Sequence, residues 1–270
     1  MSQTTEDVVL YEVADDIATI TLNRPDRLNA WTADLGTAYF DALDRAADDP
    51  DVRVIVVTGA GRGFCAGADM DMLQGIGAGE RDERPPETRP HTYATSIPKP
   101  VIGAINGACA GLGFVHAMMC DVRIAAEGAK FTTAFAQRGL VAEHGVSWVL
   151  PRVTGPAVAL DLLMSGRVFL GTEAAEMGVV NRAVPADDLM TTVREYAWEL
   201  ASNAASSSMA VMKQQVWSHM EQSLAESLDD TNTLMARSLV RDDFREGVAS
   251  FVEKRPPAFA RVTRDDVAEL

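Results

Sequence analysis

The stretch from Lys99 to Asp121, KPVIGAINGACAGLGFVHAMMCD, most constrains how this chain folds. It starts as a short apolar strand, passes through a turn punctuated by Gly107, Gly111 and Gly113, and continues as an almost wholly apolar helix. Such glycines let backbone approach backbone and open a helix without steric cost. A helix that begins this way aims its free N–H groups and the positive end of its dipole at whatever lies before it. That device holds a developing negative charge. It moves no proton, so proton chemistry has to come from other residues.

The rest of the chain repeats the strand-turn-helix theme. Val8–Asn23 alternates and is β-branched, which predicts a hairpin turning at Ala14-Asp15-Asp16. Leu35, Ala38, Tyr39, Ala42, Leu43 and Ala46 have helical spacing behind a Thr32 cap. Val52–Thr58 reads as a buried strand, followed by the glycine loop GAGRGFCAG. QGIGAGERDERPPETRP predicts a long mobile loop over about 74–92. Short strands are expected at Val122–Ala125 and Phe131–Thr133. From Pro151 onward the pattern is helical, with helices expected at Pro156–Met164, Thr172–Met177, Asp187–Ala201, Ser207–Met220 and Leu224–Phe251. A β-rich start followed by alternating strands and helices indicates an α/β fold, with a core over 1–200 and a helical region over 201–270.

Composition narrows the function classes. A net charge of −15 argues against a nucleic-acid binder, which wants a basic face. No apolar run reaches the roughly 18 residues of a membrane span. MSQTTEDVVLYEV is polar and acidic and does not read as a signal peptide. Cys65, Cys109 and Cys120 have no metal-ligand spacing and read as buried thiols in a reducing, cytoplasmic compartment.

Five ordered segments resemble the crotonase (enoyl-CoA hydratase/isomerase) superfamily. ITLNRPDRLNAW resembles its opening strand and loop, and VIVVTGAGRGFCAGADM its first oxyanion segment. KPVIGAINGACAGLGF…CDVRIAAEGAKF resembles the second. LPRVTGPAVALDLLMSGRVFLGTEAAEMGVVNRAVP and EGVASFVEKRPPAF resemble the later helices and the C-terminal end. The resemblance implies a crotonase-like ββα spiral with a C-terminal helical trimerisation region, assembled as a homotrimer or a dimer of trimers. It implies an acyl-CoA thioester as substrate, no metal, and no cofactor beyond that coenzyme A. The backbone N–H groups of Ala68 and Leu112 would hold the thioester oxygen. Arg27, Ala66, Asp69, Gly111, Val115, Phe135 and Trp148 would line the substrate site.

The chain departs from the family where hydratases carry two glutamates. Val115 stands at one of those positions and Phe135 at the other. Adding water across a double bond needs one group to deprotonate water and another to supply the α-proton. Glu143, in GLVAEHGVSW, matches the place where dienoyl-CoA isomerases and an aroyl-CoA dehalogenase carry a catalytic aspartate. The resemblance therefore implies Glu143 as a proton shuttle in an isomerase-like reaction. A non-standard hydratase and a catalytically silent acyl-CoA-binding protein are the alternatives. His116 reads as a core or interface histidine, His144 as structural and His91 as a loop residue.

Overall fold

A computed structural model describes residues 8–79 and 87–268. The chain opens with a hairpin of β1 (Val9–Ala14) and β2 (Ile17–Leu22), with Ala14 opposite Ile17. Asp15 and Asp16 make the turn at φ of 53° and 63°. Positive φ at both positions matches the twist of the flanking strands. Helix α1 (Ala33–Asp48) is capped as expected, the Thr32 hydroxyl accepting from the Leu35 N–H. Its buried stripe includes Leu35, Tyr39, Phe40 and Leu43, and it packs on β1 and β2.

Three strand-strand-helix passes follow. The first is β3 (Val54–Gly59), β4 (Gly63–Cys65) and α2 (Met70–Gly77). The second is β5 (Val101–Ile105), β6 (Ala108–Ala110) and α3 (Leu112–Met118). The third is β7 (Val122–Ala126), β8 (Lys130–Thr132) and α4 (Val146–Thr154). Then come α5 (Pro156–Ser165), β9 (Phe169–Leu170), α6 (Gly171–Glu176), β10 (Arg182–Val184) and α7 (Leu189–Asn203).

In each pass the first strand enters a six-stranded sheet, ordered β1-β2-β3-β5-β7-β10, and the second enters a four-stranded sheet, ordered β4-β6-β8-β9. All pairings are parallel except β1–β2 and β8–β9. This is the ββα spiral that the family resemblance implied. β3 and β5 are buried at every position, which is why they read as unbroken apolar runs. Helix α7 packs across β3, β5 and β7.

The C-terminal region contains α8 (Ser206–His219), α9 (Leu224–Ser238), α10 (Asp242–Glu253) and α11 (Arg264–Ala268). The single helix expected over Leu224–Phe251 is two helices. Arg241 is extended, at φ −79° and ψ 157°, and Asp242 and Asp243 open α10, where the helix dipole favours acids. The loop expected over about 74–92 also begins later. Gln74–Gly77 complete α2, because Met72 and Leu73 pack toward the cleft described below and this outweighs the two helix-weakening glycines. Residues 80–86 of that expectation lie outside the described residues.

Asp44 on α1 is a junction. It accepts hydrogen bonds from Tyr93 Oη (2.5 Å), Arg89 Nη1 (2.7 Å) and Arg264 Nη2 (2.6 Å). These bonds join α1, the segment before β5 and α11. No helix among the described residues is long and apolar enough to cross a membrane. The three cysteines are free and buried, as the sequence implied.

Candidate active site

Two loops meet to build the site. In the first, Asn29 sits at φ 57°, accepts from the Arg24 N–H and donates to the carbonyls of Ala60 and Gly63. This fixes the approach of Trp31, whose N–H donates to Gly67 O at 2.7 Å and whose carbonyl accepts from Asp69 N at 2.9 Å. Trp31 and Ala68 thus form a parallel bridge. In such a bridge the N–H of the flanked residue points to the opposite edge. The Ala68 N–H has no backbone acceptor among the described residues.

The second loop ends at Gly111, which caps α3 at φ 48° and ψ −116° and donates its N–H to Thr132 O. Few residues other than glycine adopt that backbone. Leu112 is then the first residue of α3, and its N–H is one of the donors a helix leaves unpaired. At Gly113 a Cβ would stand 2.0 Å from the Cys65 carbonyl oxygen, so the two loops touch through bare backbone.

Between them lies a cleft of about 780 Å³. Ala68, Leu112, Ala66, Gly111, Asp69, Phe135, Arg27 and Glu143 all line it. Two residues expected in its wall do not. Val115 points into the core and is fully buried. Trp148 faces a separate groove, stacked on Trp217 at 6.0 Å with the Arg152 guanidinium over its ring at 3.8 Å. The cause is rotation: α4 turns Trp148 toward α8, and an aromatic at helical spacing does not reveal which face it serves.

Three carboxylates line the cleft, and their partners separate them. Asp69 is bonded to Arg24 Nη1 at 3.0 Å and accepts from the Asp71 N–H. Burial opposes its ionisation, but these bonds outweigh burial and hold its carboxyl below the usual range. Glu87 is held by Arg89, whose hydrogen bonds pull its carboxyl down to about 2. Glu143 is half-buried in the turn before α4, where its carbonyl accepts from the Val146 N–H. Its carboxylate makes no hydrogen bond or ion pair among the described residues. Arg27, at the rim, lies 3.5 Å from Asp71, and both are largely exposed. Such a pair contributes about 0–1 kcal/mol.

Sequence reasoning missed a histidine cluster. His91 Nδ1 lies 3.0 Å from His116 Nε2. The His116 ring stacks on Trp31 at 3.9 Å, and the His91 ring lies 4.0 Å from that of His144. Burial, reinforced by the neighbouring His144, pushes His91 down to about 4, and burial holds His116 well below its ordinary value. Both are uncharged at neutral pH. The three come from the segment before β5, from α3 and from the turn before α4, so no linear spacing announces them.

The profile of the enoyl-CoA hydratase/isomerase family matches residues 12–262. A 1,2-epoxyphenylacetyl-CoA isomerase from Escherichia coli (strain K12) is 35% identical over 263 residues, covering 93% of this chain and 97% of that protein. A crystal structure of an enoyl-CoA hydratase/isomerase from Mycobacterium paratuberculosis superposes with a TM-score of 0.84 at 32% identity, covering 94% of this chain and 98% of that one. A crystal structure of an enoyl-CoA hydratase from Mycobacterium marinum is 52% identical with a TM-score of 0.68, covering 78% of this chain and 98% of that one.

Proposed function

The chain belongs to the enoyl-CoA hydratase/isomerase family, within the crotonase superfamily, and we propose that it shifts the double bond of an enoyl-CoA with Glu143 as the proton shuttle. One observation carries this reading: of the three carboxylates in the cleft, Glu143 has no partner among the described residues, while Asp69 and Glu87 are committed to arginines.

In this mechanism Glu143 takes a proton from C2 of a 3-enoyl-CoA. The C–H electron pair moves into a C1=C2 bond and the thioester carbonyl becomes an oxyanion. The N–H groups of Ala68 and Leu112 hold that charge. The dienolate then collapses, a C2=C3 bond forms, and Glu143 returns the proton at C4. Atoms and charge balance without a metal or a further cofactor. One fixed donor at an oxyanion contributes on the order of 10²–10³ in rate. One positioned acid-base group contributes about 10²–10⁴. The standard hydratase route fits less well, because Val115 and Phe135 are apolar, 0% and 3% exposed, and offer nothing to orient water.

The surface supports self-association. In the single chain Leu224 is 86% exposed and Phe251 85% exposed, and no residue of α9 is buried. Such an apolar face is seldom left bare, and a homotrimer, or a dimer of trimers, packed through α8–α10 would cover it. Three free thiols fit a reducing compartment such as the cytoplasm.

The test is a paired assay on purified protein. Crotonyl-CoA and a panel of 3-enoyl-CoA thioesters are followed by absorbance and mass spectrometry. A conjugated product of unchanged mass supports isomerisation. A hydrated product with Glu143→Gln inactive moves the assignment to a hydratase. Binding without turnover across the panel overturns the catalytic reading.

A further inference from the structure

We propose that His91 is a hydrogen-bond donor to an oxygen carried by the acyl group, locked in its donating tautomer by His116. The preferred substrate is then an oxygen-bearing acyl-CoA rather than a plain hydrocarbon one. This rests on the acyl-CoA reading above and deepens it.

The argument begins at the buried end. His116 is 2% exposed, stacked on Trp31, and its Nδ1 has no hydrogen-bond partner among the described residues. A buried N–H without an acceptor is rarer and more costly than a buried lone pair without a donor. Nδ1 of His116 therefore carries the lone pair, and its Nε2 carries the hydrogen. Among the described residues, its Nε2 meets His91 Nδ1 at 3.0 Å and has no other hydrogen-bond partner. His91 must accept there, which leaves its own hydrogen on Nε2.

His91 lines the cleft, and its Nε2 makes no hydrogen bond among the described residues and is not among the buried unpartnered atoms. The donor is open to the cleft. Glu143, the residue proposed as the shuttle, lines the same cleft. His144 follows Glu143 in the chain and packs its ring 4.0 Å from His91. The wall around them includes the apolar side chains of Trp31, Phe40, Leu112 and Phe135.

The donor is neutral. Burial pushes the His91 imidazole down to about 4, so it holds a single N–H at neutral pH and does not present a cation. A neutral imidazole is a poor acid and a weak base, but it is a directed hydrogen-bond donor. What it recognises is an uncharged acceptor: a hydroxyl, ether or epoxide oxygen near the reacting carbons. A purely hydrocarbon chain leaves that N–H unpaired in the cleft once water is displaced, which lowers affinity.

Calorimetry on the full chain with hexanoyl-CoA and 3-hydroxyhexanoyl-CoA tests this. The wild type is expected to bind the hydroxy compound about tenfold more tightly, the equivalent of about 1.4 kcal/mol. His91→Phe is expected to bind both alike, because neither the bond to the hydroxyl nor the cost of an unpaired N–H remains. Equal wild-type affinities, or a preference that survives His91→Phe, overturn the proposal. Absence of hexanoyl-CoA binding to the wild type overturns the acyl-CoA reading itself. An independent measurement needs no variant: a nitrogen-15 spectrum of the imidazoles is expected to show His91 protonated at Nε2 and bare at Nδ1, and the opposite pattern overturns the assignment.

Discussion

Arg24 Nη1 lies 3.0 Å from Asp69 Oδ2, and this bond joins the loop before Trp31 to the loop that presents Ala68. Both side chains are mostly buried, so removing one strands the other. Arg24→Ala is expected to destabilise the fold by about 3 kcal/mol and to lower kcat more than it raises KM, because the Ala68 N–H loses its aim. Denaturant melts and steady-state kinetics check the two effects. The sign with pH follows from the Asp69 carboxyl, which sits below its ordinary 3.8 in the fold. Its contribution is present above that value and lost as pH falls through the folded value. Asp69→Asn is expected to remove that part of the acid sensitivity.

Glu143→Gln keeps shape and removes the base. Turnover of a 3-enoyl-CoA is expected to fall by about 10²–10⁴, while the Kd of a non-reactive acyl-CoA stays within about twofold. Single-turnover absorbance and calorimetry separate the two. An unchanged rate sinks Glu143 as the shuttle.

The buried histidines set an acid limit. His91 and His116 both sit below 6.5 in the fold, so the unfolded chain binds protons that the folded chain refuses. Stability is therefore expected to rise with pH between about 4 and 6.5 and to fall on acidification across that window. Thermal melts from pH 7 down to pH 5 follow the trend, and His91→Phe should flatten it.

A Cβ at Gly113 would stand 2.0 Å from the Cys65 carbonyl oxygen, a backbone atom that cannot rotate away. Gly113→Ala is expected to cost about 3 kcal/mol and to part the two loops. Acyl-CoA affinity should then fall along with stability, measured by melts and calorimetry together.

Phe251→Glu places a charge on the exposed face of α10. Light scattering is expected to show a mass of three or six chains for the wild type and of one for the variant. A monomeric wild type refutes the trimer.

The fold was legible because burial and geometry leave local marks. Alternation in VVLYEV and IATITLN marks the hairpin, Thr32 marks a cap, and the glycine turns mark each pass between the sheets. The break at Arg241 left less trace, since apolar residues continue at helical spacing across it. At the site, the two glycine-marked segments that carry Ala68 and Leu112 were visible as turns, while the donor role of those two residues came only from the family resemblance. Trp148 was misplaced because a residue type does not state which way its helix is turned. The His91–His116–His144 group was invisible because it exists only after three distant segments fold together.

Asp44 receives Tyr93, Arg89 and Arg264 at once. Arg89 and Tyr93 bracket His91 in the chain, and Arg264 opens the last helix. The wall of the cleft and the tail of the protein are thus moored to one carboxylate. Trimming the chain ahead of Arg264 is expected to slacken that mooring and so to reach a cleft to which none of the described residues of α11 contributes lining.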